Sequence, residues 1–272
     1  VGELFHQAVV PGLTLVGVYI VYILIVAYLK PEVAPIVKDE SGVSKFKQII
    51  RALTAIFPPL LLVICVLGSI FAGIATPTES SAFGCVGAII LAIFYRTFSF
   101  SMMKEALAES VKTTALVFAI LVGATAFSMV FSYTGGDEIV ENFMTNLPGE
   151  KWGFIIFSMA VIFVLGFFID FVEISYIVLP ILVPIAAKLG INPVYLAILV
   201  AMNLQTSFLT PPFGFSLFFL RSVAPAEIKT AAIYKGLMPY IIIQVAVLVF
   251  FCVFLMEIKP VLDASHGGLF NF

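Results

Sequence analysis

The chain has 272 residues, 62% of them hydrophobic and only 11% charged, with a mean hydropathy of +1.17. A soluble domain runs at roughly 45–50% apolar and about 25% charged, so this composition excludes one and identifies an integral membrane protein. The net charge of −2, without a basic patch, gives nucleic acid no footing.

A membrane-crossing helix needs about 20 apolar residues. Apolar stretches fall at 9–29, 52–74, 80–95, 111–133, 152–169, 174–187, 194–222 and 237–257. Between the first two lies a polar loop with Lys30, Lys38, Lys45, Lys47 and Arg51. After the second, ATPTES predicts a turn: Pro77 breaks the helix, and Thr78 and Glu79 suit the first turn of the next. That turn reads equally as a capped re-entry or as part of a moving domain. Gly84 and Gly87, with Ala88, give the third stretch a small face for close helix packing.

Arg96, Lys104 and Lys112 follow, around the amphipathic pattern SMMKEALAESVK. Arg221, Lys229 and Lys235 follow the seventh stretch. These three regions hold 11 of the 14 lysines and arginines, and alternate crossings put them on one side, which is then cytoplasmic. The loop TGGDEIVENFMTNLPGEK falls on the other side, with Asp137, Glu138, Glu141 and Glu150 against Lys151. The turn KLGINP must lie on that outer side too. Residues 152–187 therefore leave by the face through which they enter, and GFFIDFVEIS at their middle favours a re-entrant hairpin over two crossings. Asp170 and Glu173 at its tip have no basic neighbour in sequence. A carboxylate at mid-bilayer is functional by default, although both also suit the N-terminus of the returning half-helix. Cys65, Cys85 and Cys252 lie singly in apolar runs and are expected to be small buried side chains.

The seventh stretch contains NLQTSFLTPPFGFSLFFL. Pro211 and Pro212 remove backbone donors and break the helix midway. An unwound helix at mid-membrane frees carbonyls that suit a hard cation, and a half-helix starting after Gly214 turns its positive end to the break. Asn203, Thr206, Ser207 and Thr210 add side-chain oxygens. The alternative is a proline kink satisfied by neighbouring helices. Residues 4–31 and 232–260 also echo each other, with Pro11 and Pro239 near the start of each and Lys30-Pro31 and Lys259-Pro260 at the end. Transporters are commonly built from two such repeats. The second copy follows a hairpin and a broken helix. The first follows nothing, and the chain begins with Val1, so the pattern predicts a fragment lacking the first hairpin and first broken helix.

GIATPTESSAFG (73–84), GFFIDFVEISYIVLPILVPIAAKLGINP (166–193) and NLQTSFLTPPFGFSLFF (203–219), in this order, resemble the large membrane subunit of the TRAP (tripartite ATP-independent periplasmic) transporters, the DctM-like C-terminal portion. The family pattern Asn-x-x-x-Gly-x-x-Thr-Pro-Pro-x-Gly is met by Asn203, Thr210, Pro211, Pro212 and Gly214. Ser207 stands where Gly is usual, which puts a close backbone approach there in question. Phe168 and Asp170 match the family's Phe-x-Asp at the hairpin tip.

The resemblance implies an all-α polytopic protein of the bacterial inner membrane. It implies an inverted-repeat, elevator-type transporter with a re-entrant hairpin and a discontinuous helix. Implied partners are a small membrane subunit, a periplasmic substrate-binding protein and a small anionic solute. Uptake of an organic acid would be coupled to sodium, the ion resting on oxygens such as those of Asp170, Asn203 and Thr210. No further cofactor is implied. The chain then divides into 1–51 (end of the first repeat and connector), 52–133 (helices between repeats), 134–222 (hairpin 152–187 and broken helix 194–222) and 223–272 (a scaffold-type helix and tail). Proton coupling through Asp170 is the competing reading. An intramembrane enzyme is disfavoured, because no HExxH and no Ser/His pair occurs within the spans.

Overall fold

The computed structural model describes residues 2–32, 45–210, 216–217, 220–221, 224 and 228–258. Among them the chain is helical throughout, with no strand. The helices are α1 (Gly2–Leu29), α2 (Lys45–Phe71), α3 (Pro77–Phe94), α4 (Phe100–Tyr133), α5 (Gly136–Thr145), α6 (Lys151–Leu165), α7 (Phe171–Ile177), α8 (Leu179–Lys188), α9 (Pro193–Leu209) and α10 (Thr230–Val253). A π-helical turn, Phe254–Ile258, extends α10. Five of these helices are long and apolar enough to cross a membrane.

Two compact units divide the chain: Val1–His6 with Ile23–Thr113, and Gln7–Tyr22 with Thr114–Phe272. In the first unit α2 and α3 pack as an antiparallel pair. The Ser69 and Ser80 hydroxyls meet at 2.7 Å near the turn, and the Tyr95 hydroxyl donates to the Ala55 carbonyl at 3.5 Å toward the far end. Between them a Cβ at Gly87 would lie 2.2 Å from Leu62 Cδ1, and one at Gly84 would lie 3.4 Å from Val66 Cγ2. The small face read from the sequence thus sets the helix spacing. Cys65 and Cys85 are exposed on these helices rather than buried as expected. For a helix bathed in hydrocarbon, an outward face is as apolar as an inward one, so apolar neighbours do not tell which way a side chain points.

SMMKEALAESVK, read as a separate amphipathic helix, is continuous with the next stretch in the 34-residue α4. At 1.5 Å per residue that is about 51 Å, well beyond the hydrocarbon thickness of about 30 Å.

The second unit holds the main core. Phe154, Ile155 and Ile162 of α6, Ile174 of α7, and Leu196, Leu199 and Val200 of α9 are all no more than 2% exposed. Ile241, Val247, Leu248 and Phe251 of α10 are also buried. Tyr240 of α10 packs edge-on against Tyr19 and Tyr22 of α1, each pair with centroids 5.2 Å apart. The acidic loop of the sequence reading contains α5, whose Val140 and Met144, with Leu147 just beyond its end, lie against this core. Its helical spacing is partly hidden by the five polar residues among those ten.

Residues 151–188 form a helical hairpin. A Cβ at Gly190, just past α8, would lie 3.7 Å from Lys151 Nζ at the start of α6, so the chain comes back to the end from which it set out. Lys188 closes the same end with an ion pair to Glu141. The returning arm bends by 50° between α7 and α8. Pro180 at the start of α8 causes the bend, having no N–H to donate and a ring that crowds the preceding turn. The Trp152 indole N–H donates to Glu257 Oε1 at 2.7 Å, tying the base of the hairpin to the π-helical turn after α10.

Candidate functional site

The tip of the hairpin is set by local chemistry. α6 ends at Leu165, and Gly166 follows as its C-cap. α7 begins at Phe171 with Asp170 as N-cap. The Phe171 N–H donates to Asp170 Oδ1 at 2.8 Å, and the Asp170 N–H donates to Glu173 Oε2 at 2.8 Å. This is a capping box, in which two backbone donors at the helix start are satisfied reciprocally. Both tip carboxylates therefore have a structural use. Among the described residues neither is joined by a hydrogen bond to Asn203, Thr206, Ser207 or Thr210.

The same grammar occurs in the first unit, at the start of α3. The Thr76 N–H and hydroxyl both donate to Glu79 Oε2 at 2.8 Å, and the Glu79 N–H donates to Thr76 Oγ1 at 3.3 Å. Glu79 is thus the third residue of a capping box, and Thr78 offers its carbonyl to the Ser81 hydroxyl at 2.7 Å. The N-cap is Thr76, which the sequence reading passed over; the T-x-x-E spacing was the signal for it.

α9 is the most deeply buried helix of its unit, and its last two turns carry the predicted oxygens. Asn203, Thr206 and Ser207 are no more than 1% exposed. The Asn203 amide donates to the Met159 carbonyl of α6 at 2.7 Å. Its Oδ1 is buried and has no partner among the described residues. The three hydroxyls bond backward along the helix: Thr206 to the Met202 carbonyl at 2.8 Å, Ser207 to those of Asn203 and Leu204 at 3.1 and 3.0 Å, and Thr210 to that of Thr206 at 2.7 Å. Each hydroxyl proton is thereby occupied, so what these groups offer elsewhere is lone pairs. Thr210 ends the helix in extended conformation, at φ −88° and ψ 132°, as a residue before proline must. Pro211, Pro212 and Gly214 lie outside the described residues, and so does most of the half-helix expected after them.

The hairpin tip and the last turns of α9 lie side by side. A Cβ at Gly166 would stand 2.2 Å from Ser207 Oγ and 2.6 Å from its Cβ. The close approach that Ser207 puts in question is thus made, with the glycine on the facing helix end. The rings of Phe171 and Phe208 pack edge-on beside it at 6.5 Å. Other buried oxygens also lack partners among the described residues, among them Ser158 Oγ on α6 and Gln244 Oε1 on α10. Ser158 is the only hydroxyl in α6, which was a visible signal. Among the described residues no group of three or more His, Cys, Asp or Glu side chains forms a metal cluster. A hard cation here would rest on hydroxyl, amide and backbone oxygens, and the unpaired Asn203 Oδ1 fits that donor set.

These features define a multi-pass helical membrane protein with a capped hairpin tip lodged against the end of α9. Residues 1–256 match the family described as "Tripartite ATP-independent periplasmic transporter, DctM component", and the chain belongs to that family. It is 32% identical over 250 residues to the C4-dicarboxylate TRAP transporter large permease protein DctM of Pseudomonas aeruginosa, covering 92% of this chain and 57% of that one. It is 29% identical over 249 residues to the isethionate TRAP transporter permease protein DctMQ of Oleidesulfovibrio alaskensis, covering 91% and 38%. It is 26% identical over 255 residues to the sialic acid TRAP transporter large permease protein SiaM of Vibrio cholerae, covering 92% and 58%. The chain thus spans well under two thirds of each of these relatives' length. All three names are those of transport permeases, not of enzymes.

Proposed function

We propose that the chain is part of the large membrane subunit of a TRAP-type secondary transporter in the bacterial inner membrane, and that it takes up an organic acid coupled to sodium. The observation that carries this reading is the cluster of oxygen acceptors at the end of α9. Asn203 Oδ1 is buried and unpaired among the described residues, and the Thr206, Ser207 and Thr210 hydroxyls are already committed as donors. Buried acceptors without donors favour a cation. Sodium would lie on these oxygens and on backbone carbonyls at the break, and its charge would help to seat an anionic solute. The solutes in the relatives' names, a C4-dicarboxylate, isethionate and sialic acid, are all organic acids. The word "tripartite" in the family's description fits two further components, a small membrane subunit and a periplasmic binding protein.

The hairpin is read as re-entrant. α6 has 15 residues, about 22 Å of helix, which falls short of a bilayer core of about 30 Å. In an elevator-type cycle the second unit would be the body that moves. α10 would then ride with α9, on which it packs, instead of standing in a scaffold as the sequence reading had it.

The test is sodium-dependent uptake by the whole transporter in proteoliposomes. Thr210→Ala should raise the half-saturating sodium concentration about tenfold, equivalent to about 1.4 kcal/mol. Unchanged sodium affinity would remove this site, and uptake driven by a proton gradient without sodium would favour the competing coupling through Asp170.

A further inference from the structure

α9 has a second working face. Beside its buried side, a cavity of about 370 Å³ is lined by Phe171 and Ser175 of α7 and by Ala201, Leu204, Gln205 and Phe208 of α9. The lining follows from helical spacing: 201, 204, 205 and 208 share one face of α9, and 171 and 175 share one face of α7. The volume is at the small end of small-molecule sites, and the walls are mostly apolar with a few polar groups, as in such sites. No charged side chain contributes to the lining. The Ser175 hydroxyl donates to the Phe171 carbonyl at 2.7 Å, which leaves it lone pairs to offer. Gln205 is exposed, and its carboxamide has no hydrogen-bond partner among the described residues.

The geometry points to this cavity as the seat of the uncharged part of the transported organic acid: a group of a few carbons bearing a hydroxyl or amide, with its acidic group left outside. This assignment rests on the transport reading above. Position supports it. Phe171 follows Asp170 at the hairpin tip, and Gln205 and Phe208 flank Thr206 and Ser207, so the cavity adjoins the candidate ion site. Chemistry supports it as well. The Phe171 and Phe208 rings suit the carbon skeleton, and the Gln205 carboxamide with Ser175 Oγ suits a hydroxyl or amide. A lipid tail in the same place would strand the carboxamide in hydrocarbon, which is costly. A fully ionic solute would meet no counter-charge.

The test uses the whole transporter with its partner subunits in proteoliposomes under a sodium gradient, offered malate, isethionate and N-acetylneuraminate in turn. Ala201→Phe fills the cavity, and Gln205→Leu removes its carboxamide. Each variant should lower uptake of the accepted solute by roughly tenfold or more, with the half-saturating sodium concentration and the melting temperature unchanged. Wild-type uptake in both variants would overturn the assignment, as would a loss of uptake that tracks a fall in melting temperature. If the unmutated transporter shows no sodium-dependent uptake of any of the three, the transport reading itself fails and takes the occupant with it.

Discussion

At position 166 there is no room for a methyl group, because Ser207 Oγ and Cβ stand 2.2 and 2.6 Å from where it would be. Rotating the serine hydroxyl relieves only the first of these contacts. Gly166→Ala should therefore destabilise the purified protein by about 1–3 kcal/mol, read as a lower denaturation midpoint. Adding Ser207→Gly should restore much of the loss, a non-additivity expected of residues in contact. Asp170 permits a finer dissection. Asparagine caps a helix about as well as aspartate, whereas Asp170→Ala should cost about 0.5–2 kcal/mol through loss of the cap. Asp170→Asn that folds normally but no longer takes up solute would show that the charge matters beyond the cap; normal uptake would confine Asp170 to capping. The residue types at 170 and 203 to 210 were legible in the sequence because polar groups stand out in an apolar run. Gly166 was not, because a glycine in a membrane segment carries no sign of what faces it.

At the scale of elements, the sequence reading locates the spans well, since a hydrophobic stretch of the right length admits little but a helix in a bilayer. It goes astray where polar residues punctuate a helix without ending it. α5 passes for a loop, and the start of α4 passes for a separate segment. The start of α4 contains no proline or glycine where a break was inferred, and α5 runs unbroken between Gly135 and Pro148, the breakers that made the whole stretch read as a loop. The α2–α3 pair shows the opposite case, in which two glycines three residues apart, Gly84 and Gly87, are each fixed by a side chain of the facing helix. Gly87→Leu should force these helices apart at Leu62 and lower the melting temperature. Gly123→Leu in α4, where nothing lies within 4 Å of the added Cβ, should leave it nearly unchanged. Equal effects at the two positions would mean that the α2–α3 contact does not set the spacing.

For the whole molecule, the hairpin, α9 and α10 share one core, and the tie from Trp152 to Glu257 links residues 105 apart in sequence. Trp152 is the only tryptophan in the chain, so its emission reports on that tie without labelling. Glu257→Leu should alter the emission of the indole, and Trp152→Phe with Glu257→Leu should lower the melting temperature by less than the sum of the single changes. Strict additivity would mean that the two side chains do not support each other. Such long-range pairings were invisible in the sequence, because nothing in a single chain's residue order marks which distant positions meet.

The box formed by Asp170 and Glu173 also bears on how a solute would be received. The turn at the hairpin tip is held by its own carboxylates and backbone N–H groups, so it does not wait for a ligand to take shape. The conformational freedom of that turn is given up when the chain folds, not when the solute arrives. A preorganised tip binds with less entropic opposition. Nor would the departure of a bound group require the turn to unravel, so arrival and release would both leave its backbone as it is.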